Sequence, residues 1–151
     1  MSSPRPSDAA AATATTTSQV YLATTTLDEV LRQYGRAPAR EHVSLTATQN
    51  TAWFLWGVQS RWIGFGALLT LNPRRVRVKG LWVRPEDRGR GWGTQGVRLL
   101  CDYAEQRGFT EVEQYAIRPQ FWLDRGWAPL APPRPNGAQR LLASLPLPRP
   151  L

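Results

Sequence analysis

The stretch Leu81-Trp82-Val83-Arg84-Pro85-Glu86-Asp87-Arg88-Gly89-Arg90-Gly91-Trp92-Gly93 runs from a strand-like segment through a glycine-rich turn directly into a helical pattern. The first N–H groups of a helix have no acceptor within the helix and lie at the positive end of its dipole, and glycines let a phosphate approach the backbone. The stretch therefore predicts an anion site that suits a pyrophosphate. It has neither the Gly-Lys-Ser/Thr ending of a Walker loop nor the acidic residue that follows a dinucleotide fingerprint.

The residues before this stretch predict a short strand, one helix and then three successive antiparallel strands. Apolar residues recur at helical spacing up to Gly35, and two later runs of aromatic and branched residues are joined by Gln59-Ser60. A turn at Asn72–Arg75 precedes a third, alternating run in which Gly80 indicates a bulge. The predicted elements are strands at 20–23, 51–58, 61–71 and 76–83 and a helix at 27–34, with residues 36–50 as a loop or an irregular helix.

The residues after the stretch complete an α+β pattern. We predict a helix that ends at Gly108, a strand at 111–117, a short helix at 119–125, and strands at 127–130 and 140–145 that pair around Asn136-Gly137. This order predicts a mixed, mostly antiparallel sheet with flanking helices and one strand–helix–strand crossover. Residues 1–19 contain almost no large apolar side chains and are predicted to be a disordered tail, which leaves 20–151 as a single domain.

Composition narrows the function classes. The chain has 151 residues and a formal net charge of +8, and the excess of basic residues lies in mid-chain, which favours an anionic partner. Because Cys101 and His42 are the only residues of their types, we expect no disulfide and no metal site. No apolar run approaches the roughly 20 residues of a membrane span, and residues 1–19 do not read as a secretory signal, so we expect a cytoplasmic protein that does not bind membranes.

Two motifs resemble the GNAT N-acetyltransferases. The acyl-CoA loop of that family has Arg or Gln, two residues, Gly, one residue, then Gly or Ala, and Arg88, Gly91 and Gly93 match it after the strand that contains Leu81 and Val83. Residues 116–127 are similar to the family segment in which an aromatic pair on a short helix precedes a Gly-aromatic step. The resemblance covers roughly residues 51–130. It implies a GNAT-like central sheet with a V-shaped splay, and the bulge at Gly80 lies where the family separates two parallel strands.

The resemblance also implies a cofactor, acetyl-CoA or another acyl-CoA. Main-chain groups of Leu81 and Val83 would line its pantetheine arm, and the loop would hold its pyrophosphate. The residues assigned to the cofactor are Leu81, Val83, Arg88, Gly89, Arg90, Gly91, Trp92, Gly93 and Thr94. In the family mechanism an amine attacks the acyl group directly, with no acyl-enzyme, so Cys101 is interpreted as a packing residue rather than a nucleophile.

The chain departs from the family pattern at the general acid. The position four before Gly126, usually Tyr in the family, is Trp122, and an indole N–H has no useful acidity. We therefore consider Tyr115 or Tyr103 as replacements, each of which is also compatible with a core role. For the base, Asp124 and Glu113 are candidates, with Glu41 and His42 as weaker ones.

The acceptor is predicted from the remaining positive charge. The basic residues outside the cofactor loop are Arg61, Arg74, Arg75, Arg77 and Lys79, and Trp53, Trp56, Trp62 and Trp82 lie among them. Exposed tryptophans beside phosphate-binding arginines would suit DNA or tRNA, whereas a buried set would belong to the sheet core. Two nucleic-acid branches of the family fit, the phage Mom-type DNA-modification enzymes and the toxins that acetylate aminoacyl-tRNA, and we favour the Mom type. The alternatives are an acetyltransferase of a small-molecule or protein amine and a non-catalytic module that binds CoA or nucleic acid.

Overall fold

The protein is described here as a computed structural model that covers residues 20–41, 43, 45 and 49–147. The predicted tail at 1–19 and His42 lie outside these residues. The strands are β1 (Val20–Thr25), β2 (Thr51–Val58), β3 (Arg61–Thr70), β4 (Arg75–Val83), β5 (Glu111–Ala116), β6 (Ala128–Pro129) and β7 (Gln139–Ser144). The helices are α1 (Leu27–Tyr34), α2 (Ala37–Arg40), α3 (Trp92–Gln106) and α4 (Pro119–Leu123).

The strands form one sheet in the order β1-β2-β3-β4-β5-β7-β6. The neighbouring pairs are antiparallel except β4 and β5, which are parallel and are connected through α3. The predicted α+β class and mostly antiparallel sheet are therefore confirmed. Within 36–50 the structure forms the short helix α2, because Pro38 at an early helical position fixes a helix-compatible φ.

The sheet buries side chains on both faces. The α3 face packs Phe54, Trp56 and Val76 against Val97 and Leu100 of α3. The α1 face carries a second cluster that includes Val30 of α1 and Trp53, Trp62 and Trp82. All four tryptophans considered for base stacking are at most 6% exposed, so the interpretation of these residues as part of the sheet core is correct.

A wedge opens between β4 and β5. Their pairing runs from Arg75 with Glu111 to Val78 with Gln114 and then stops, although β4 continues to Val83 and β5 to Ala116. Beyond Val78, β4 contains a bulge, because Ala67 and Phe65 of β3 pair with Lys79 and Trp82 across an extra residue. Gly80 has φ +63° at this bulge, in the region that favours glycine. The predicted bulge and splay are thus present.

Two kinds of feature, a membrane-spanning helix and a cluster of metal ligands, are not found among the described residues. No helix in this part of the chain is long and apolar enough to cross a membrane. Nor do three His, Cys, Asp or Glu side chains within it come together in a way that could hold a metal ion.

Candidate acyl-CoA site

The loop between β4 and α3 begins with a rigid turn. Pro85–Asp87 form one turn of 3₁₀ helix, and the Asp87 side chain is 1% exposed. Its carboxylate accepts hydrogen bonds from Arg84 Nε at 3.0 Å and Nη2 at 2.7 Å, and it also pairs with Arg61. Burial by itself would raise the pKa of Asp87, but the bonds and charges of Arg84 and Arg61 hold this pKa below its ordinary value. Arg61, predicted to face an acceptor, is therefore a support of the loop.

Arg88 fastens the loop to the sheet and to the end of α2. Its Nε donates to the Val83 carbonyl at 2.8 Å, and its guanidinium forms a two-pronged ion pair with Glu41 at 2.7 and 2.8 Å. Glu41 also accepts from Trp82 Nε1 at 2.9 Å, and these hydrogen bonds lower its pKa to about 2. The guanidinium also lies 5.7 Å from the centre of the Trp82 ring. The Arg88 side chain is thus held by hydrogen bonds and an ion pair within the protein.

The glycines that follow leave an open path to the start of α3. Gly89 and Gly91 have φ of +80° and +82°, and a Cβ added to either would meet no atom within 4 Å. Gly91 is the N-cap and offers no side chain, and the first turn of α3 contains no acidic residue. The Gln95 N–H bonds to the Gly91 carbonyl at 3.1 Å, so the N–H groups of residues 92–94 precede the first intrahelical bond. This arrangement presents unpaired donors at the positive end of a 15-residue helix.

The start of α3 lies against the end of β4. Leu81 and Val83 are partly buried and pack on the α3 face, and a Cβ on Gly93 would lie 3.9 Å from Val83 Cγ2. From Val83 back to Lys79, where the wedge begins, is about 13 Å at the rise of an extended strand. The start of α3 and the wedge therefore lie near the two ends of one stretch of β4. The residues assigned to the cofactor lie at the end of β4, in the loop that follows it and at the start of α3.

The candidate acid and base residues lie in different places. Tyr115 is the first residue of β5 beyond the last β4–β5 pair and is 38% exposed. Tyr103 packs on Phe54 of β2 with ring centres 4.7 Å apart, which places it two strands from the wedge. Asp124 is exposed at the end of α4, where it accepts from Gln120 Nε2 at 2.7 Å. Trp122 packs between Phe121 and Trp127 at 5.0 and 5.6 Å. Of these four residues, Tyr115 is the one at the mouth of the wedge.

Cys101 is a core residue of α3. It is 1% exposed, and burial raises the pKa of its thiol far above the ordinary range. A buried neutral thiol is a poor nucleophile, which agrees with its interpretation as a packing residue.

Most of the basic residues predicted to face an acceptor contact other side chains of the protein. Arg75 pairs with Glu111 and Glu113 at 3.4 Å, and Arg77 pairs with Glu113 at 3.5 Å. Lys79 lies 5.9 Å from the centre of the Trp53 ring. Arg74 is exposed in the β3–β4 turn, where its backbone N–H donates to the Asn72 side chain. Of the five predicted residues, Arg75 and Arg77 are thus paired with carboxylates of the parallel neighbour β5.

Two arginines that the sheet brings beside Tyr115 were not predicted from the sequence as site residues. Arg134 and Arg140 lie in the segment after α4, and together with Arg77, Glu113, Gln114 and Tyr115 they line a cleft of about 310 Å³. Arg140 is opposite Tyr115 in the β5–β7 register and bonds to Glu113 at 2.9 Å. The predicted Asn136-Gly137 turn was the available signal, because it brought residues 140–145 back beside 127–130, but the pairing of that segment with β5 could not be derived from it.

Comparisons with known proteins agree with this geometry. The model of the acetyltransferase (GNAT) family matches residues 19–120. Among solved structures, a Lactobacillus plantarum protein assigned as an N-acetyltransferase is similar with a TM-score of 0.68 at 18% identity, covering 85% of this chain and 99% of that one. A GNAT family acetyltransferase from Elizabethkingia anophelis with acetyl-CoA bound has a TM-score of 0.61 at 12% identity, over 85% and 99% of the two chains. Spermidine N-acetyltransferase from Vibrio cholerae, in complex with CoA and spermine, has 0.65 at 12% identity, over 85% and 96%. No curated protein matches the sequence.

Proposed function

We propose, from the premise that this chain belongs to the acetyltransferase (GNAT) family and uses acyl-CoA, that it transfers the acyl group directly to an amine at the β4–β5 wedge. One observation carries the proposal: the strand that leads into the uncapped start of α3 is the same strand that separates from its parallel neighbour. A ligand with an anionic end and a reactive end would be held along that strand.

The loop and β4 fit the cofactor in different ways. The N–H groups from Gly89 to Thr94 would hold the pyrophosphate, because nothing in the loop caps them and the glycines leave room for phosphate oxygens. The main chain from Leu81 to Val83 would border the pantetheine arm. Arg88 would act by holding the loop against Val83 rather than by binding phosphate with its side chain.

A buried donor lies at the point of the wedge. Gln114 is 6% exposed, and its Nε2 has no acceptor among the described residues. By strand alternation Gln114 shares the α3 face with Val112, which is the side of the cofactor loop. An unpaired buried amide costs on the order of 1–3 kcal/mol, so a carbonyl of the cofactor arm is a fitting acceptor.

The bulge would stabilise charge during transfer. Acyl-CoA supplies an acyl carbon that is activated as a thioester. Gly80 and Leu81 have no partner in the β3 register, and we assign their main-chain N–H groups to the carbonyl oxygen that gains charge when the amine attacks. The amine nitrogen forms the new bond to the acyl carbon, the carbon–sulfur bond breaks, CoA departs as a thiolate, and the proton of the amine passes to solvent.

Trp122, at the position where the family usually has Tyr, is compatible with this chemistry. A thiol with an ordinary pKa near 8.5 departs as a thiolate more readily than an alkoxide or an amide would, so a general acid is helpful rather than essential. Tyr115 is the hydroxyl that the fold places at the wedge, and we assign to it any assistance to the leaving group. Tyr103 and Asp124 have no such position. Glu113 is held by three arginines that lower its pKa despite its burial, which makes it a weak base.

A small-molecule or protein amine fits the site better than a nucleic acid does. Neither the Mom-type branch nor a tRNA acceptor is supported by the comparisons, the tryptophans that would stack on bases are buried, and Arg61, Arg75 and Arg77 are paired with carboxylates. A non-catalytic CoA-binding module shares the scaffold but would not release CoA.

The test measures binding and turnover separately. Calorimetry with acetyl-CoA should give a one-site isotherm, and a thiol reagent should detect free CoA when a mixture of primary amines is added. Absence of acetyl-CoA binding would overturn the proposal. Binding without amine-dependent thiol release would favour the non-catalytic module.

A further inference from the structure

The cleft lies on the α1 face of β4, β5 and β7, and hydrogen bonds within a tight turn fix the position of Arg134 beside it. Arg134 begins a tight turn in which its N–H donates to the Ala138 carbonyl at 2.8 Å and its carbonyl accepts from the Gly137 N–H at 2.8 Å. The Ala138 N–H also donates to the Asn136 side chain at 3.0 Å. The Arg134 guanidinium lies 4.6 Å from the centre of the Tyr115 ring. The turn and the ring together hold Arg134 over the cleft.

The cleft carries more positive charge than its carboxylates balance. Arg75, Arg77 and Arg140 share the buried Glu113, and Arg75 also contacts Glu111. Among the residues that line the cleft, the three arginines Arg77, Arg134 and Arg140 stand against the single carboxylate of Glu113, a formal excess of +2. The side chains of Arg77 and Arg140 remain 37% and 45% exposed, so their unused donors reach the cleft side.

The cleft adjoins the wedge where transfer would occur. Gln114 is the last residue of β5 paired with β4, Tyr115 is the first beyond that pairing, and both line the cleft. The cofactor loop lies on the α3 face, whereas Arg77, Tyr115 and Arg140 lie on the opposite face by strand alternation. A small molecule in the cleft would therefore reach the wedge from the side that the cofactor leaves open.

We propose that this cleft is the acceptor site and that it binds a carboxylate, so that the acceptor is a small amine bearing a carboxylate, such as an amino acid. The inference rests on the proposed function. Guanidinium groups bind carboxylates through paired hydrogen bonds, and Glu113 at the base of the cleft opposes a second negative charge, which disfavours a phosphate dianion. The same carboxylate tolerates the positive end of an amino acid. A volume of about 310 Å³ is large enough for a small molecule such as an amino acid.

The test compares acceptors that differ only in the carboxylate. The twenty L-amino acids and their amino-acid amides are offered to the wild-type protein at saturating acetyl-CoA, and calorimetry with the CoA-bound protein gives the affinity of each. At least one amino acid should bind and be acetylated with a KM at least about tenfold lower than that of its amide. Arg134→Gln should raise that KM about tenfold with little change in kcat, and should leave the amide unaffected.

Controls separate this inference from the proposed function. Arg74→Gln removes an exposed arginine outside the cleft and should change neither KM. Arg134→Glu should reverse the preference in favour of the amides. Equal affinity for amino acids and amides, or no binding of any amino acid, would overturn the carboxylate site even if acetyl-CoA binds. Failure of acetyl-CoA to bind would instead count against the proposed function.

Discussion

Helices α1 and α3 both begin with backbone N–H groups that have no acceptor within the helix. At α1 a side chain accepts from one of these groups, whereas at α3 no side chain does. At α1, Thr26 Oγ1 accepts from the Glu29 N–H at 3.2 Å, and Asp28 and Glu29 place negative charge in the first turn. At α3, Gly91 provides no capping side chain, and the first turn has no acidic residue. The start of α1 thus has a capping side chain and acidic residues of its own, whereas the start of α3 has neither, which supports the proposal that it binds an anion.

The largest expected effect comes from placing a charge at the open helix start. Gly91→Asp puts a carboxylate where the pyrophosphate would bind, and it should weaken CoA binding roughly thirtyfold relative to Gly91→Asn, which has nearly the same shape without the charge. Calorimetric titration of both variants with CoA measures the difference. Gly108→Asn is the strain control, because Gly108 has φ +92° and equally open space beyond the other end of α3. Equal affinities for the Asp and Asn variants would remove the electrostatic part of the contrast.

The next effect tests whether Arg88 braces the loop or binds phosphate. Glu41→Gln removes the ion pair that holds the Arg88 guanidinium. If the side chain acts as a brace, the loop loosens and CoA binding weakens roughly threefold, in line with an exposed ion pair. If instead the motif Arg binds phosphate, its release from Glu41 should strengthen CoA binding. The sign of the change in Kd therefore decides between the two roles.

A smaller effect follows from the pH dependence of the same contact. The pKa of Glu41 is lowered from 4.5 to about 2 in the folded protein, so its stabilisation is complete above the unfolded-state pKa and is lost as the pH falls from about 4.5 towards 2. The difference in unfolding free energy between the wild type and Glu41→Gln should be constant from pH 5 to 8 and should shrink below pH 4.5. Urea denaturation at pH 7, 5 and 3.5 measures it. A difference that does not depend on pH would contradict the assigned ion pair.

The smallest expected effect on CoA affinity comes from a change at the N-cap of α1. Thr26→Ala should lower the free energy of unfolding by about 1 kcal/mol and leave the CoA affinity unchanged, because α1 uses its cap for stability. Thr26→Ser should retain most of that stability. Chemical denaturation and calorimetry on the same samples provide both readings. A loss of CoA affinity in the Ala variant would show that the two helix starts are not independent.

The open helix start could be predicted because its signal is local. Residues 81–93 contain the strand, the glycines and the helix start within one short segment, and Gly80 indicated the bulge by its own residue type. The partner of Arg88 could not be predicted in this way. Glu41 is 47 positions away, and the two meet only after α2 packs beside Trp82.

The charged strands show the same limit. Alternation in β4 placed Arg75, Arg77 and Lys79 on one face, but the ion pairs of Arg75 and Arg77 depend on the parallel register with Glu111 and Glu113. The cleft needs the further register of β5 with β7, which brings Arg140 opposite Tyr115. Counting charges along the chain therefore overstated the cluster on β4 and overlooked Arg134 and Arg140.

The difference between the two helix starts can be observed directly by NMR. CoA titrated into ¹⁵N-labelled protein should shift the backbone amide resonances of residues 89–94, while those of residues 27–29 at the start of α1 stay in place. Amides along Leu81–Val83 should follow the first group at the same CoA concentration. Unchanged resonances at 89–94, or equal shifts at both helix starts, would contradict the assignment of the α3 start as the site that binds the acyl-CoA pyrophosphate.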